Sequence, residues 1–191
     1  MTLCLEPECR VTDEIQPSLK PPPQAIFRAY DIRGVVDQQL NSDNIELIGQ
    51  SIGSEALDEG IGELLVARDG RLSSPVLSRA LISGLRSSGV NVVDLGIVPT
   101  PLMQFAAHTT HLNSGVMLTA SHNPAHYNGI KIVFRRAPLA EKRITAIRMR
   151  IEKQNLRPVS YTHLRAHETR EDSGCRLRGE KKKGGGGGGG G

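Results

Sequence analysis

The sequence contains no tryptophan, and aromatic residues make up only 3% of its 191 positions. Proteins that bind nucleic acids stack bases on aromatic side chains or gather Lys and Arg on one surface. Here the net charge is only +4, and residues 159–191 supply +3 of it, with 7 Lys/Arg against 4 Asp/Glu. The sequence therefore predicts no nucleic-acid partner.

Cysteine and long apolar runs are also scarce. Cys4, Cys9 and Cys175 are odd in number and widely spaced, which does not suit a framework of paired disulfides. No window approaches the roughly 18 consecutive apolar residues of a membrane-spanning helix. Prolines and acidic residues lie near the N-terminus, where a signal peptide needs an apolar run. We therefore expect a reduced, cytoplasmic compartment and no membrane partner.

Two terminal stretches lack the apolar periodicity of a packed element. Residues 1–23 include Pro21-Pro22-Pro23 and are predicted to form a flexible leader. Residues 159–191 resemble the translation of sequencing-adapter DNA and end in glycine only, so we predict an unstructured, non-native tail. A genuine low-complexity tail is the alternative. The folded domain is expected over residues 24–158.

Between these ends, strand-like and helix-like segments alternate, which is typical of α/β domains. Helices are predicted where apolar residues recur every three to four positions, and strands where short apolar runs lie between turn residues. The predicted helices begin near Ser42, Ser73 or Ser74, Thr100 and Glu141, with Ser42 as the cap of the first, and the predicted strands cover 64–67, 90–95, 115–119 and 130–134. The predicted apolar faces are Ile45, Ile48, Ile52 and Ala56 in the first helix, Leu77, Leu81 and Leu85 with Val76 and Ala80 beside them in the second, and Ala140, Ile144, Ile147 and Ile151 in the last. This order predicts a three-layer α/β/α domain with a mixed, mostly parallel sheet.

The polar loop Ala120-Ser-His-Asn-Pro-Ala-His-Tyr-Asn-Gly129 follows one of these strands directly. In open α/β sheets, loops beyond the carboxyl ends of strands carry ligand sites. A serine alone is a weak nucleophile and needs a base or a charged setting. His122, Asn123 and Lys131 are predicted to lie near enough to Ser121 to act on an anion there. The alternative is a turn whose side chains bond only one another and water.

Two other groups of polar residues are assigned structural roles. In Arg68-Asp-Gly-Arg71, Asp69 and Arg71 are predicted to form a turn-stabilising ion pair or hydrogen bond, because Asp and Gly are residues that such turns require. Three histidines lack the spacing of metal ligands and are predicted to lie on the surface: His108, His111 and His126.

Several motifs resemble those of the α-D-phosphohexomutases. Thr119-Ala-Ser-His-Asn-Pro124 with Tyr127-Asn-Gly-Ile-Lys131 is similar to the family's phosphoserine loop. Phe27-Arg-Ala-Tyr-Asp-Ile-Arg-Gly34 is similar to its N-terminal active-site motif. Arg68–Arg71 and Val98-Pro-Thr-Pro101 also match family segments. The resemblance spans about residues 26–155 and points to the phosphomannomutase/phosphoglucomutase branch.

This resemblance implies an isomerase in which phosphorylated Ser121 gives its phosphoryl group to a mannose or glucose monophosphate. A hexose 1,6-bisphosphate intermediate then returns its other phosphoryl group to the serine. Phosphoserine carries a charge of about −1.5 to −2, which Arg33, Lys131 and Mg²⁺ would compensate. The implied metal contact is a phosphoryl oxygen on Ser121, and glucose 1,6-bisphosphate is the implied activator.

The resemblance also implies a role for each matching side chain. Tyr30 and Asn123 would bind substrate beside Ser121, and Lys131 is the candidate general acid/base. His122 would shape the loop or take part in catalysis, and a purely loop-stabilising hydrogen bond is the alternative. Neither sugar preference nor oligomeric state follows from these motifs.

Family members have four domains, and the later ones contain an Asp-Gly-Asp-Gly-Asp-Arg metal loop and the sugar and phosphate clamps. This sequence contains no such metal loop. We therefore expect a catalytic fragment that is inactive alone. The alternative is a free-standing α/β domain that binds phosphosugars or a protein. The metal loop in the DNA beyond codon 158 would indicate the fragment, whereas a native stop codon would indicate the free-standing domain.

Overall fold

The computed structural model describes residues 20–157, so the predictions for residues 1–19 and 159–191 lie outside the described residues. Six strands in the described part form one sheet: β1 (Ile32–Val35), β2 (Glu63–Arg68), β3 (Asn91–Ile97), β4 (Gly115–Leu118), β5 (Tyr127–Phe134) and β6 (Ala137–Pro138). The helices are α1 (Ser42–Asp58), α2 (Ser74–Ser87), α3 (Thr100–Thr109) and α4 (Glu141–Glu152). A 3-10 helix at Gln24–Ile26 precedes β1.

The strand order across the sheet is β1-β5-β4-β2-β3, with β6 beside β5. β2 pairs in parallel with both β3 and β4. β5 is antiparallel to β1, β4 and β6. All strands but β5 in this sheet therefore run in one direction, which confirms the predicted mixed, mostly parallel arrangement.

Helices cover both faces of the sheet because the buried strands are apolar on both sides. On β2, Leu64 and Val66 belong to the larger core, which packs against α1, α2 and α4. Leu65 and Ala67 point to the other face, where they cluster with Met103 of α3. The three predicted layers are therefore present, with three helices on one side and one on the other.

The close approach of α1 and α2 depends on a small residue at their crossing. A Cβ added to Gly84 of α2 would lie 1.9 Å from the carbonyl oxygen of Glu46 on α1.

Helix α1 is capped by Asn41, whose side chain accepts from the Asn44 amide at 2.8 Å. The sequence placed this cap at Ser42, one residue too late, although both residue types perform the same function.

The apolar stripes were predicted well, with errors at helix ends. Leu77, Leu81 and Leu85 of α2 are buried as expected, whereas Val76 is 49% exposed. In α4, the predicted face of Ile144, Ile147 and Ile151 is buried, but Ala140 is the exposed N-cap and Leu139 is buried instead. None of the helices within residues 20–157 has the length and apolar character needed to cross a bilayer.

Candidate active site

The segment of residues 119–129 joins β4 to β5 and includes the first residues of β5. This segment, which we call the serine loop, presents Ser121 at the carboxyl edge of the parallel strands. Ser121 has φ 56°, a left-handed conformation that non-glycine residues adopt uncommonly. Its amide donates to Thr119 Oγ1 at 3.0 Å, and its hydroxyl lies 3.5 Å from His122 Nδ1. The main chain is therefore held while the serine side chain stays exposed.

Two cations lie on the neighbouring strands β1 and β5, and one of them, Arg33, contacts this loop. Arg33 lies on β1 opposite Gly129 of β5, and its Nη1 donates to Asn123 Oδ1 at 2.8 Å. The Nη2 of Arg33 donates to Asp31 Oδ2 at 2.5 Å. Lys131 Nζ lies 3.7 Å from the same oxygen. Asp31 therefore joins Arg33 and Lys131 into one charged group, which we call the Asp31 cluster.

Asp31 is a site residue that the sequence analysis missed. Its side chain is 12% exposed and that of Arg33 is 9% exposed. Burying an ion is costly unless it is paired and hydrogen-bonded, so these two groups depend on each other. The sequence contained a signal for the pair, because residues two apart on an extended segment share a face.

The turn after β2 is bonded to the serine loop through Arg71. Arg71 Nε donates to Asp69 Oδ2 at 3.1 Å, which is the predicted ion pair. The other two guanidinium nitrogens donate four further hydrogen bonds of 2.8–3.1 Å to main-chain oxygens of Ser121, Asn123, Pro124 and Tyr127. Local sequence patterns did not predict these contacts, which span 50 to 56 positions.

Asp69 and Asn128 complete the connection between turn and loop. Asp69 accepts from Thr119 Oγ1 at 2.8 Å and from Ser74 Oγ at 2.7 Å. At the other end of the serine loop, Asn128 Nδ2 donates to Ser73 Oγ at 2.9 Å and to Ser74 Oγ at 3.1 Å. The serine loop is therefore connected to the start of α2 at both ends, through Asp69 at one and directly by Asn128 at the other.

Two cavities lie at opposite edges of the sheet. A shallow groove of about 440 Å³ runs beside Ser121 and is lined by Asp69, Gly70, Arg71, Ser121, Asn123 and Ala125. A larger cavity of about 660 Å³ lies where β2 and β4 begin and β5 ends, and its lining includes His111, Arg135 and Arg136. We place the candidate active site at the smaller groove, because the hydroxyl and polar network lie there.

Comparison with known proteins identifies the family of this chain. Residues 24–158 match the family model described as phosphoglucomutase/phosphomannomutase, alpha/beta/alpha domain I. The chain belongs to the phosphoglucomutase/phosphomannomutase family. This confirms the resemblance seen in the sequence motifs. A crystal structure of a phosphoglucomutase/phosphomannomutase family protein from Burkholderia thailandensis superimposes with a TM-score of 0.70 at 43% identity, covering 72% of this chain and 32% of that one.

Curated members of the family are considerably longer than the matched region. The phosphomannomutase/phosphoglucomutase of Pseudomonas aeruginosa PAO1 is 52% identical over 134 residues, which are 70% of this chain and 29% of the relative. The phosphoglucomutase of Neisseria gonorrhoeae is 43% identical over 128 residues, which are 67% of this chain and 28% of the relative. The chain therefore spans less than a third of the length of these relatives.

The structure of this phosphoglucomutase/phosphomannomutase domain brings most of the predicted site residues together. Ser121, His122 and Asn123 share the loop, and Arg33 and Lys131 meet at Asp31. Tyr30 is 74% exposed, and no hydrogen bond from its side chain is formed within residues 20–157, so its role stays a prediction. The three histidines that were predicted to lie on the surface are exposed: His108, His111 and His126.

The described part of this family member does not contain a complete metal site. Within residues 20–157, no group of three or more His, Cys, Asp and Glu side chains is placed to hold a metal ion. Mg²⁺ demands near-octahedral coordination by oxygen. Asp31 and Asp69 are already bonded to cationic side chains. Asp31 and Asp69 therefore do not fit Mg²⁺ by themselves.

Proposed function

We propose that this domain carries the phosphoserine of an enzyme that interconverts the 1-phosphates and 6-phosphates of mannose or glucose. The observation that carries the proposal is the exposed Ser121 hydroxyl, held on a fixed main chain next to Asn123, which Arg33 of the Asp31 cluster contacts. The names of the similar proteins, phosphomannomutase and phosphoglucomutase, support the same reaction.

In the proposed reaction, the phosphoryl group on Ser121 Oγ passes to a free hydroxyl of a hexose monophosphate. The bond from phosphorus to Ser121 Oγ breaks, a bond to the sugar oxygen forms, and a base accepts the proton of the sugar hydroxyl. The hexose 1,6-bisphosphate then turns and returns its other phosphoryl group to Ser121. We assign Lys131 as the general acid/base, because its neutral amine can accept that proton and the resulting ammonium, which adds its charge to the Asp31 cluster, can return it.

Phosphoryl transfer depends mainly on positioning and charge compensation, which is what this site offers. Phosphoserine carries about −1.5 to −2 charges near neutrality. Arg33 and Lys131 contribute two positive charges to the Asp31 cluster, and Asp31 removes one, so the cluster supplies a net charge of +1. The remaining compensation must come from elsewhere in the enzyme.

We propose Mg²⁺ as part of that compensation, with glucose 1,6-bisphosphate as the activator. When bound, the ion would draw negative charge from the phosphoryl group. Its ligands other than the Ser121 phosphoryl oxygen would come from outside the described residues. Arg33, Lys131 and Asn123 would orient the phosphate, and His122 would support the loop or the serine hydroxyl. Tyr30 is proposed to contact the substrate.

The test of Ser121 uses the full-length enzyme. We expect mass spectrometry to find phosphate on Ser121 and Ser121→Ala to abolish mutase activity. Ser83→Ala is the matched control, because Ser83 is an exposed serine on α2 that bonds Glu46. Phosphate found only on other residues, with Ser121→Ala fully active, would overturn the proposal.

The 191-residue chain alone is expected to show no mutase activity, even with Mg²⁺ and glucose 1,6-bisphosphate. Precise positioning contributes about 7–11 kcal/mol to lowering a barrier, and this chain has only part of the positioning groups. A coupled assay compares the chain with its Ser121→Ala variant. Isomerisation well above that of the variant would show that one domain suffices.

A further inference from the structure

Arg71 uses every donor that a guanidinium has. The group carries five N–H bonds. Nε donates to Asp69, Nη1 to Pro124 and Tyr127, and Nη2 to Ser121 and Asn123. A phosphate could bind Arg71 only by displacing one of these bonds.

The partners of Arg71 differ in kind from those of Arg33. The terminal nitrogens of Arg33 bond two side chains, Asn123 and Asp31, which can rotate away to admit a ligand. Four of the five Arg71 bonds end on main-chain oxygens of the serine loop. Such bonds fix the path of the backbone, and the side chain of Arg71 is only 15% exposed.

Ser121 needs support of this kind. A non-glycine residue in the left-handed region is unfavourable and persists only where its surroundings determine it. The carbonyl of Ser121 is held by Arg71 and its amide by Thr119, whose hydroxyl in turn donates to Asp69. Asp69 also accepts from the Arg71 amide at 3.2 Å and from its Nε, which orients the guanidinium.

We propose that Arg71 is the positioning residue of the serine loop: it holds Ser121 in its left-handed conformation through the loop carbonyls and does not bind phosphate. The proposal rests on the function proposed above for Ser121. An arginine that binds phosphate acts through its charge, whereas Arg71 acts through the positions of its hydrogen bonds to the loop.

Replacing Arg71 by Lys separates the two roles. An ammonium keeps the charge but concentrates three donors on one nitrogen, so it cannot reach four carbonyl oxygens. If Arg71 acts by geometry, Arg71→Lys behaves like Arg71→Gln. If Arg71 binds phosphate by charge, Arg71→Lys keeps most of the wild-type behaviour.

The first measurement is hydrogen exchange on the whole 191-residue chain. Amide exchange in residues 119–129 is expected to become about tenfold faster in both Arg71 variants, because each lost hydrogen bond makes local opening easier. Segments from α1 and α4 are expected to stay protected, which reports that the chain is folded. Arg148→Lys is the matched control, since Arg148 forms an exposed pair with Glu152 on α4. Wild-type exchange of residues 119–129 in Arg71→Lys would overturn the proposal.

The second measurement is kinetic and uses the full-length enzyme. Misplacing the serine is expected to lower kcat by about a hundredfold. The loss should be equal for Arg71→Lys and Arg71→Gln, with KM changed by less than about threefold and an unchanged pH profile. A raised KM in Arg71→Gln that Arg71→Lys restores would overturn the proposal and make Arg71 a phosphate ligand.

The two measurements separate this proposal from the one on which it rests. Absence of phosphate from wild-type Ser121 would contradict the proposed function, and hydrogen exchange would still decide whether Arg71 holds the loop. If Arg71→Lys left the loop exchange unchanged, the positioning role would fail whether or not Ser121 carries phosphate.

Discussion

Two opposite edges of the sheet are the one where the parallel strands end, beside Ser121, and the one where they begin. Their polar contacts differ in a way that the sizes of their cavities do not reveal. The larger cavity, about 660 Å³, lies at the edge where β5 ends, whereas Ser121 lies beside a groove of about 440 Å³. Both edges contain left-handed residues: Ser121 with φ 56° at one, and Arg135 and Arg136 with φ 48° and 69° at the other.

These left-handed residues are supported by different means. Arg135 and Arg136 are the two residues between β5 and β6, and φ > 0 at both central residues is what the favoured two-residue hairpin requires. The conformation there follows from the turn itself. At Ser121 the conformation depends on hydrogen bonds from distant residues, and this convergence of polar groups, not the cavity volume, is why we place the candidate active site there.

The largest expected contrast between the edges comes from adding one methyl group. A Cβ at Gly129 would lie 2.5 Å from the carbonyl oxygen of Ile32 and 3.0 Å from that of Thr119. We expect Gly129→Ala to destabilise the fold by about 3 kcal/mol, since three strands must move. Gly62 at the other edge has no atom within 4 Å of such a Cβ, so Gly62→Ala should change stability by less than about 1 kcal/mol. Urea denaturation of both variants measures the contrast, and equal midpoints would remove it.

Removing one carboxylate from each edge should give a smaller contrast. Asp69→Ala leaves Arg71, Thr119 and Ser74 without their shared acceptor, and should cost about 2 kcal/mol. Glu63 lines the larger cavity and is exposed, so Glu63→Ala should lie within about 0.5 kcal/mol of wild type. Thermal unfolding compares the two. A neutral Asp69→Ala would show that the bonds between turn and loop contribute little.

Substitution by glycine should relieve the backbone strain of the left-handed residue at either edge. Arg136→Gly and Ser121→Gly are each expected to stabilise the fold by about 0.5–1 kcal/mol, because a left-handed backbone disfavours residues with a Cβ. Ser121→Gly also removes the proposed phosphate carrier, so only this variant should lose activity in the full-length enzyme. Chemical denaturation gives the stability change, and a loss of stability in both variants would argue against strain.

The smallest expected effect is the pH dependence of the ion pairs that Asp58 forms at the C-terminal end of α1. Asp58 bonds Arg150 and Arg157 at 2.5 Å each. The hydrogen bond from Arg150 lowers the pKa of the Asp58 carboxyl below its ordinary 3.8, although burial opposes the shift. A lowered folded-state pKa gives stability that is present above pH 3.8 and is lost as the pH falls through the folded-state value. Melting temperatures of wild type and Asp58→Asn should therefore differ at about pH 6, and the difference should shrink as the pH falls below 3.8. A constant difference would contradict this assignment.

The order of elements followed from the sequence because each strand and helix has its own local pattern. Leu77, Leu81 and Leu85 marked the buried face of α2, and all three are buried at 3% exposure or less. Ser121 was predicted to lie in a loop after a strand, and it does. Local periodicity was sufficient in both cases, since neighbours in sequence determine which face a side chain shares.

What local pattern missed depends on distant partners. β1 is a four-residue strand that contains Arg33 and Gly34, so it has no apolar alternation, and β5 supplies its ladder. Asp69 lies two positions from Arg71 and was paired with it correctly, whereas the loop carbonyls that Arg71 bonds lie 50 to 56 positions away. Periodicity over one helix or strand carries no information about such contacts.

The pairing of Arg33 with Gly129 has a consequence for when the site comes into being during synthesis. Translation proceeds at about 5–20 residues per second, so roughly 5–20 s pass between the emergence of these two positions from the ribosome. Closing so long a loop carries an entropy cost, and we expect the neighbouring β2, α2 and β3 to fold first. The nascent chain therefore exposes Arg33 well before β1 can pair with β5, and we expect the contact between Arg33 and the segment around Ser121 to form late in synthesis.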